Sequence, residues 1–139
     1  GMAIETPSLL ITDDDFAFRE TLQGVFEPLG YRTLLAGDGE EALRIVRSQV
    51  VHLALLDMHM PRLTGLETLR RVKQFKATLP CIILSADLDE TIAEEARREH
   101  AFSVLRKPVT LMQIMRVVTQ ALEATYSWTA LRFNRPRGL

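Results

Sequence analysis

The sequence predicts an α/β domain built as a doubly wound parallel sheet, and three observations carry that expectation. Five short, largely apolar runs, at residues 8–12, 31–36, 53–56, 81–84 and 103–105, have the length of strands. Three of these runs are almost continuously apolar, as strands covered on both faces must be. Between the runs, apolar residues recur at three- and four-residue spacing, the period of helices with one buried face. Strict alternation of strand and helix calls for crossover connections, which are right-handed and make the sheet parallel.

The run Ser8-Leu9-Leu10-Ile11-Thr12 leads into a helical face of Phe18, Leu22, Val25, Phe26 and Leu29, with Gly30 expected to end that helix. The run 31–36 leads into Ala42, Leu43 and Val46. Leu53-Ala54-Leu55-Leu56 leads into Leu66, Leu69, Val72 and Phe75, where Thr64 with Glu67 three residues on has the pattern of a capping box. Cys81-Ile82-Ile83-Leu84 precedes Ile92, Ala93 and Ala96, with Asp89 as the expected cap. Ser103-Val104-Leu105 precedes the last face, formed by Leu111, Ile114, Val117, Val118, Ala121 and Leu122. The expected organisation is an N-terminal segment over 1–7, one domain over 8–126 and a tail over 127–139. Gly1 ahead of Met2 reads as a cloning remnant. The tail carries Trp128 and Phe133 among Arg132, Arg135 and Arg137, and too few residues follow Tyr126 for a helix-turn-helix.

A chain of 139 residues is long enough for one hydrophobic core. With 47% hydrophobic and 25% charged residues and a formal charge of −1, it has an ordinary globular composition and no general pull toward nucleic acid. No apolar run approaches the roughly 20 residues of a membrane helix. The N-terminal residues also lack the basic and apolar regions of a signal peptide. Cys81 has no cysteine to pair with and lies in an apolar run, so a buried thiol in a reducing cytoplasm is expected.

In doubly wound sheets, ligands gather beyond the carboxyl ends of the strands. Here the first strand ends in Asp13-Asp14-Asp15, the third in Asp57 and the fourth in Ser85, while Lys107 closely follows the fifth. Carboxylates converging there repel, each pair at roughly 4 Å by about 4 kcal/mol at an effective dielectric near 20. A divalent cation offsets that repulsion, and a few carboxylates with a carbonyl and waters suit Mg²⁺. Lys107 then supplies a point charge, Ser85 a hydroxyl donor and Asp57 a carboxylate nucleophile able to form an acyl phosphate. Taken singly, each feature has a commonplace explanation: a triple Asp is a solvated turn or helix cap, and a Lys-Pro pair is a loop. Their order and spacing together carry the argument.

That set resembles the receiver domains of bacterial response regulators, the phospho-accepting modules of two-component systems. The matching pieces are Leu9 to Asp15 with Arg19 and Glu20, Gly37-Asp38-Gly39-Glu40-Glu41-Ala42-Leu43, Leu56-Asp57-Met58-His59-Met60-Pro61 with Gly65, Leu84-Ser85-Ala86, and Lys107-Pro108. The resemblance implies a flavodoxin-like fold with strand order 2-1-3-4-5. It makes Asp57 the phospho-acceptor, and Asp13, Asp14, Asp57 and the backbone carbonyl of His59 the Mg²⁺ ligands. Ser85 takes the switch hydroxyl position and Lys107 the phosphate-pairing position, with Ala86 the small residue beside the acceptor. The bond before Pro108 is expected to be cis. A histidine kinase or histidine phosphotransfer protein is the implied donor. An output protein is expected on the face of the fourth helix, fifth strand and fifth helix, over 90–122. The chain is expected to be a monomer or weak dimer that does no enzymatic work beyond self-phosphorylation from small donors and autodephosphorylation.

The sequence also departs from that family. Receivers commonly place Tyr or Phe three residues before the lysine, where this chain has Val104, whose β-branched side chain cannot sweep between buried and exposed rotamers in the same way. Ser103 stands where one branch carries an acid, and His100 where glycine is frequent. His59 is expected to serve through its backbone, its ring lining the site mouth, where it and Asp87 could tune acyl-phosphate lifetime. His52 and His100 read as ordinary loop residues. Three other readings stand beside the phospho-acceptor. They are a phosphorylation-independent docking module, a fragment of a larger regulator or hybrid kinase, and a Mg²⁺-dependent aspartyl-phosphate phosphatase.

Overall fold

The computed structural model describes residues 2–129 and contains one sheet of five parallel strands, ordered β2-β1-β3-β4-β5. The strands are β1 (Ser8–Thr12), β2 (Arg32–Ala36), β3 (Leu53–Asp57), β4 (Cys81–Ser85) and β5 (Ser103–Arg106). Helices α1 (Phe16–Phe26), α2 (Gly39–Ser48), α3 (Gly65–Phe75), α4 (Glu90–Arg98) and α5 (Leu111–Thr125) alternate with them. Architecture and strand order are those the sequence predicts.

Side chains alternate across a strand, so each buried run feeds two cores. Leu10, Ala54, Leu56, Cys81 and Ile83 face α2, α3 and Ala96 of α4. Leu9, Ile11, Leu53, Leu55, Ile82 and Leu84 face Leu22 and Phe26 of α1 and Ile114, Val118, Ala121 and Leu122 of α5. Burial in the first core pushes the Cys81 thiol up to about 12, which makes it inert as a nucleophile.

Every helix begins at a side-chain cap. Asp15 caps α1, Asp38 caps α2 and Asp89 caps α4, while Thr64 with Glu67 and Thr110 with Gln113 form capping boxes. The first helix ends earlier than its pattern suggests. Pro28 has no N–H to continue the α-helical ladder, so residues Glu27–Leu29 form a 3-10 turn, and Gly30 closes that turn at φ 97°. His100 and Arg62 adopt left-handed backbone at φ 63° and 71°. The first of these explains why glycine suits position 100.

A clasp lies across the boundaries expected at residues 8 and 126. Ala3 bridges Ser127, whose N–H donates to the Met2 carbonyl at 2.9 Å. Ile4 and Trp128 are both buried, and the Tyr31 ring stands edge-on between Phe26 and Trp128, at centroid distances of 5.0 and 5.9 Å. Arg132, Phe133, Arg135 and Arg137 lie outside the described residues. His52 is more than the loop residue it was expected to be. Its Nδ1 accepts the Ser8 N–H at 2.8 Å, its ring stands edge-on to Tyr126, and its carbonyl accepts the Tyr126 hydroxyl at 2.8 Å. That contact only becomes visible once β1, β3 and the end of α5 are brought together.

Two outcomes are expected. A Cβ on Gly65 would lie 2.6 Å from the Asp57 carbonyl oxygen and 2.9 Å from the Met58 Cα, so Gly65→Ala should cost about 2 kcal/mol in urea unfolding. Burial first, and then the charge of Lys76, holds His52 below the ordinary histidine range. At pH 7.5 folded and unfolded states are both neutral there. Below about 6.5 the unfolded chain takes up a proton that the folded state resists, so stability falls toward pH 5.5. Denaturation profiles should show that loss reduced in His52→Gln.

Candidate functional site

Strands β1 and β3 are neighbours, and Thr12 pairs with Leu56. The residues that follow, Asp13 and Asp57, therefore emerge side by side at the carboxyl edge of the sheet. Both are buried, at 1% and 4% exposure, whereas Asp14 is exposed. One carboxylate oxygen from each of the three lies within 4.8 Å of the others. Asp15 turns away from them to cap α1, its Oδ1 accepting the Ala17 N–H at 3.0 Å. The acidic triplet thus divides into a pair facing the site and a helix cap.

Lys107 follows β5 and reaches back across the sheet edge. Its Nζ lies 2.9 Å from Asp57 Oδ1 and 3.1 Å from Asp13 Oδ2. Burial raises the Asp57 pKa. The Lys107 hydrogen bond pulls it back, and the Asp13 charge pushes it up again, for a net rise. Burial alone would lower the Lys107 pKa, but its hydrogen bond to Asp57 and the charge of Asp13 outweigh that and hold it above the usual lysine value. One ammonium faces three carboxylates, so the cluster retains an excess of negative charge. Its donors are hard oxygens, and its Asp14 side is open to water. That set fits Mg²⁺, which binds through one or two carboxylates and keeps several waters.

The remaining expected residues are arranged around this cluster. Ser85 ends β4 fully buried, and its Oγ has no hydrogen-bond partner among the described residues; Thr12 Oγ1 is in the same position. A buried hydroxyl without a partner is a donor awaiting an acceptor. Ala86 is exposed. Asp87 Oδ2 lies 3.2 Å from His59 Nε2, so two loops are joined at the mouth of the site. The carbonyl of Met58 is taken by the Gly65 N–H at 2.9 Å. Val104 is half-buried against the α2–α4 core, and the Lys107–Pro108 peptide is cis.

Three contacts carry no signature in the sequence. Arg19 Nη1 donates to the Asp13 carbonyl at 2.6 Å, Arg62 pairs with Asp38 at 3.1 Å, and Arg106 Nη2 donates to the Leu88 carbonyl at 2.8 Å. Arg19 and Asp38 stood within the matching motifs, but nothing local says what they touch.

The chain matches the family model of the response regulator receiver domain over residues 9–119. The chain belongs to that family. The transcriptional regulatory protein ZraR of Klebsiella oxytoca is 34% identical over 124 residues, covering 89% of this chain and 28% of ZraR. Sporulation initiation phosphotransferase F of Bacillus subtilis (strain 168) is 33% identical, covering 82% of this chain and 92% of that protein. This receiver thus spans little more than a quarter of ZraR but nearly the whole of the sporulation protein. Among solved structures, a receiver domain from Clostridium thermocellum superimposes with a TM-score of 0.79 at 30% identity, covering 85% of this chain and 95% of that one. A CheY-like receiver from Methanospirillum hungatei JF-1 gives a TM-score of 0.84 at 21% identity, covering 87% and 97%, a likeness of fold. Receiver domains are signalling modules that typically bind Mg²⁺ at an acidic pocket. No helix among the described residues is long and apolar enough to cross a membrane.

Asp14→Asn removes one of the three repelling carboxylates from the solvent-exposed side. Without metal, this receiver should gain on the order of 1 kcal/mol, the value for like charges near 4 Å in water. Mg²⁺ should raise the thermal midpoint of the parent protein, and that rise should disappear in the variant. Thermal melts with and without Mg²⁺ check both.

Proposed function

We propose that Asp57 accepts a phosphoryl group from a histidine kinase or histidine phosphotransfer protein, and that the modified domain changes its binding to an output partner. The observation that supports this best is the buried Asp57 carboxylate, held by Lys107 within an oxygen-lined acidic cluster. A carboxylate oxygen of Asp57 attacks phosphorus in line with the departing group. The phosphorus–donor bond breaks, the donor leaves with its electron pair, and Asp57 carries an acyl phosphate. Asp13, Asp14, Asp57 and the His59 carbonyl would hold Mg²⁺, which when bound offsets the negative charge gathered by the carboxylates and the phosphoryl oxygens. Lys107 moves from its carboxylate contacts to a phosphoryl oxygen, and the Ser85 hydroxyl donates to another.

The phosphoryl group carries about −1.5 to −2 by analogy with other phosphorylated side chains and replaces the single carboxylate charge, and this added charge and bulk then bias the face of α4, β5 and α5. A near-complete change of population requires about 5.5 kcal/mol of differential stabilisation. Val104 favours a second reading, a docking module that works without phosphorylation, because it leaves no aromatic side chain to rotate at that position. The phosphatase reading has less support. Position 59, where such an enzyme needs an acid–base carboxylate, holds a histidine whose ring is engaged with Asp87.

Intact-mass spectrometry after incubation with acetyl phosphate and Mg²⁺ should show a single phosphoryl adduct, absent in Asp57→Asn and absent without Mg²⁺. If no adduct forms even when a phosphorylated kinase supplies the group, the docking-module reading replaces this one. His59→Ala and Asp87→Ala each open the joined loops, and the adduct should decay faster in both by the same mass assay.

A further inference from the structure

Two of the three clustered carboxylates are fixed by direct bonds. Asp13 is held at four points. Its N–H donates to the Ala36 carbonyl at 3.0 Å, and its own carbonyl accepts from Arg19 Nη1 at 2.6 Å. Its Oδ1 accepts the Asp15 N–H at 2.9 Å and its Oδ2 the Lys107 ammonium at 3.1 Å. Asp57 shares that ammonium. Asp14 is different: it is exposed, and its carboxylate accepts no hydrogen bond among the described residues.

What the fold fixes at Asp14 is therefore the backbone from which its side chain projects. The peptide joining it to Asp13 is one rigid plane, with the Asp13 carbonyl and the Asp14 N–H on opposite edges. Arg19 grips that plane by its carbonyl. The guanidinium is itself well located. It is half-buried, its central carbon is 5.4 Å from the Phe16 ring centroid, and a Cβ added at Gly37 would meet Nη1 at 3.4 Å.

We infer that Arg19 is a positioning residue. It fixes the Asp13–Asp14 peptide so that the Asp14 carboxylate is presented, beside Asp57, to a divalent cation. This presupposes the Mg²⁺-dependent phosphoryl acceptance proposed above and adds to it a residue that touches neither metal nor phosphate.

The sign of the effect separates positioning from charge. Arg19 places a full positive charge near a cation site, so if charge were its only contribution, removing it would tighten Mg²⁺ binding. If it holds the peptide, removing it loosens binding, and groups that orient metal ligands are typically worth about 10- to 100-fold in affinity.

The test is isothermal titration of Mg²⁺ into the full chain, with Arg19→Ala and Arg19→Lys beside the parent. Far-UV circular dichroism and metal-free urea midpoints establish that each variant is folded. The expected result is a Kd about tenfold higher in Arg19→Ala. Arg19→Lys, which keeps the charge but loses the planar fork, should fall in between. The acetyl phosphate adduct should drop at sub-saturating Mg²⁺ and recover at saturation. An unchanged or lower Kd in Arg19→Ala overturns the inference. Should that variant not fold, Arg19→Lys decides, and a Kd equal to the parent's overturns it. A parent protein that takes up no Mg²⁺ removes the cation reading itself, whereas Mg²⁺ uptake equal in parent and variants removes only the role of Arg19.

Discussion

The pairing of β1 with β3 imposes the constraint from which the site follows. Neighbouring strands lie about 4.8 Å apart, and the Thr12–Leu56 register brings Asp13 and Asp57 out side by side at the same edge. Two buried carboxylates in contact are unfavourable, and the exposed Asp14 adds a third. The structure offsets this with Lys107, carried in from β5 on the far side of β4. One ammonium thereby ties the first and third strands to the chain leaving the fifth. It stabilises the cluster without neutralising it, and the remaining charge is what makes the edge attractive to a cation.

Other contacts keep this edge in shape. Arg62 joins the loop after β3 to the cap of α2, His59 joins the same loop to the one after β4, and Arg106 secures that second loop from β5. The contacts of Arg62 and His59 each span two loops, and that of Arg106 runs from strand β5 to the loop after β4. The pairs are largely exposed, so each contributes little to global stability. Their effect is local: they limit how far the loops flanking Asp57 can move apart. The heavy stabilisation comes from below, where both faces of the sheet are buried under apolar helices.

The features legible in the sequence were those written in local pattern. Apolar runs such as 81–84 and the Thr64–Glu67 box report their own conformation, because the physics that sets them acts within a few residues. The acid cluster and Lys107 were legible for another reason, since in an alternating α/β chain any residue just after a strand reaches the same edge. Arg19, His52 and Arg106 were not readable in this way. An arginine early in an amphipathic helix looks solvated until the neighbouring loop is placed, and nothing near His52 announces that its ring will meet Ser8 and Tyr126. The end of α1 was misread because the apolar pattern runs on through Leu29, while the missing N–H of Pro28 decides the geometry. The acidic triplet was ambiguous between cap and ligand, and the structure divides it: Asp15 caps α1, while Asp13 and Asp14 cluster with Asp57.

The clasp at the opposite end of the sheet has an optical consequence. Trp128 is the chain's single tryptophan, and it is buried against Tyr31 where the first and last described residues meet. Indole emission from this protein therefore comes from one place, the seam between residues 2–4 and 127–128, at the edge of the sheet remote from Asp57. Fraying of either terminus would register as a shift of that emission toward the red while the carboxylate edge stayed intact. Chemistry at Asp57 would be silent in the same channel unless it were transmitted along the length of the strands.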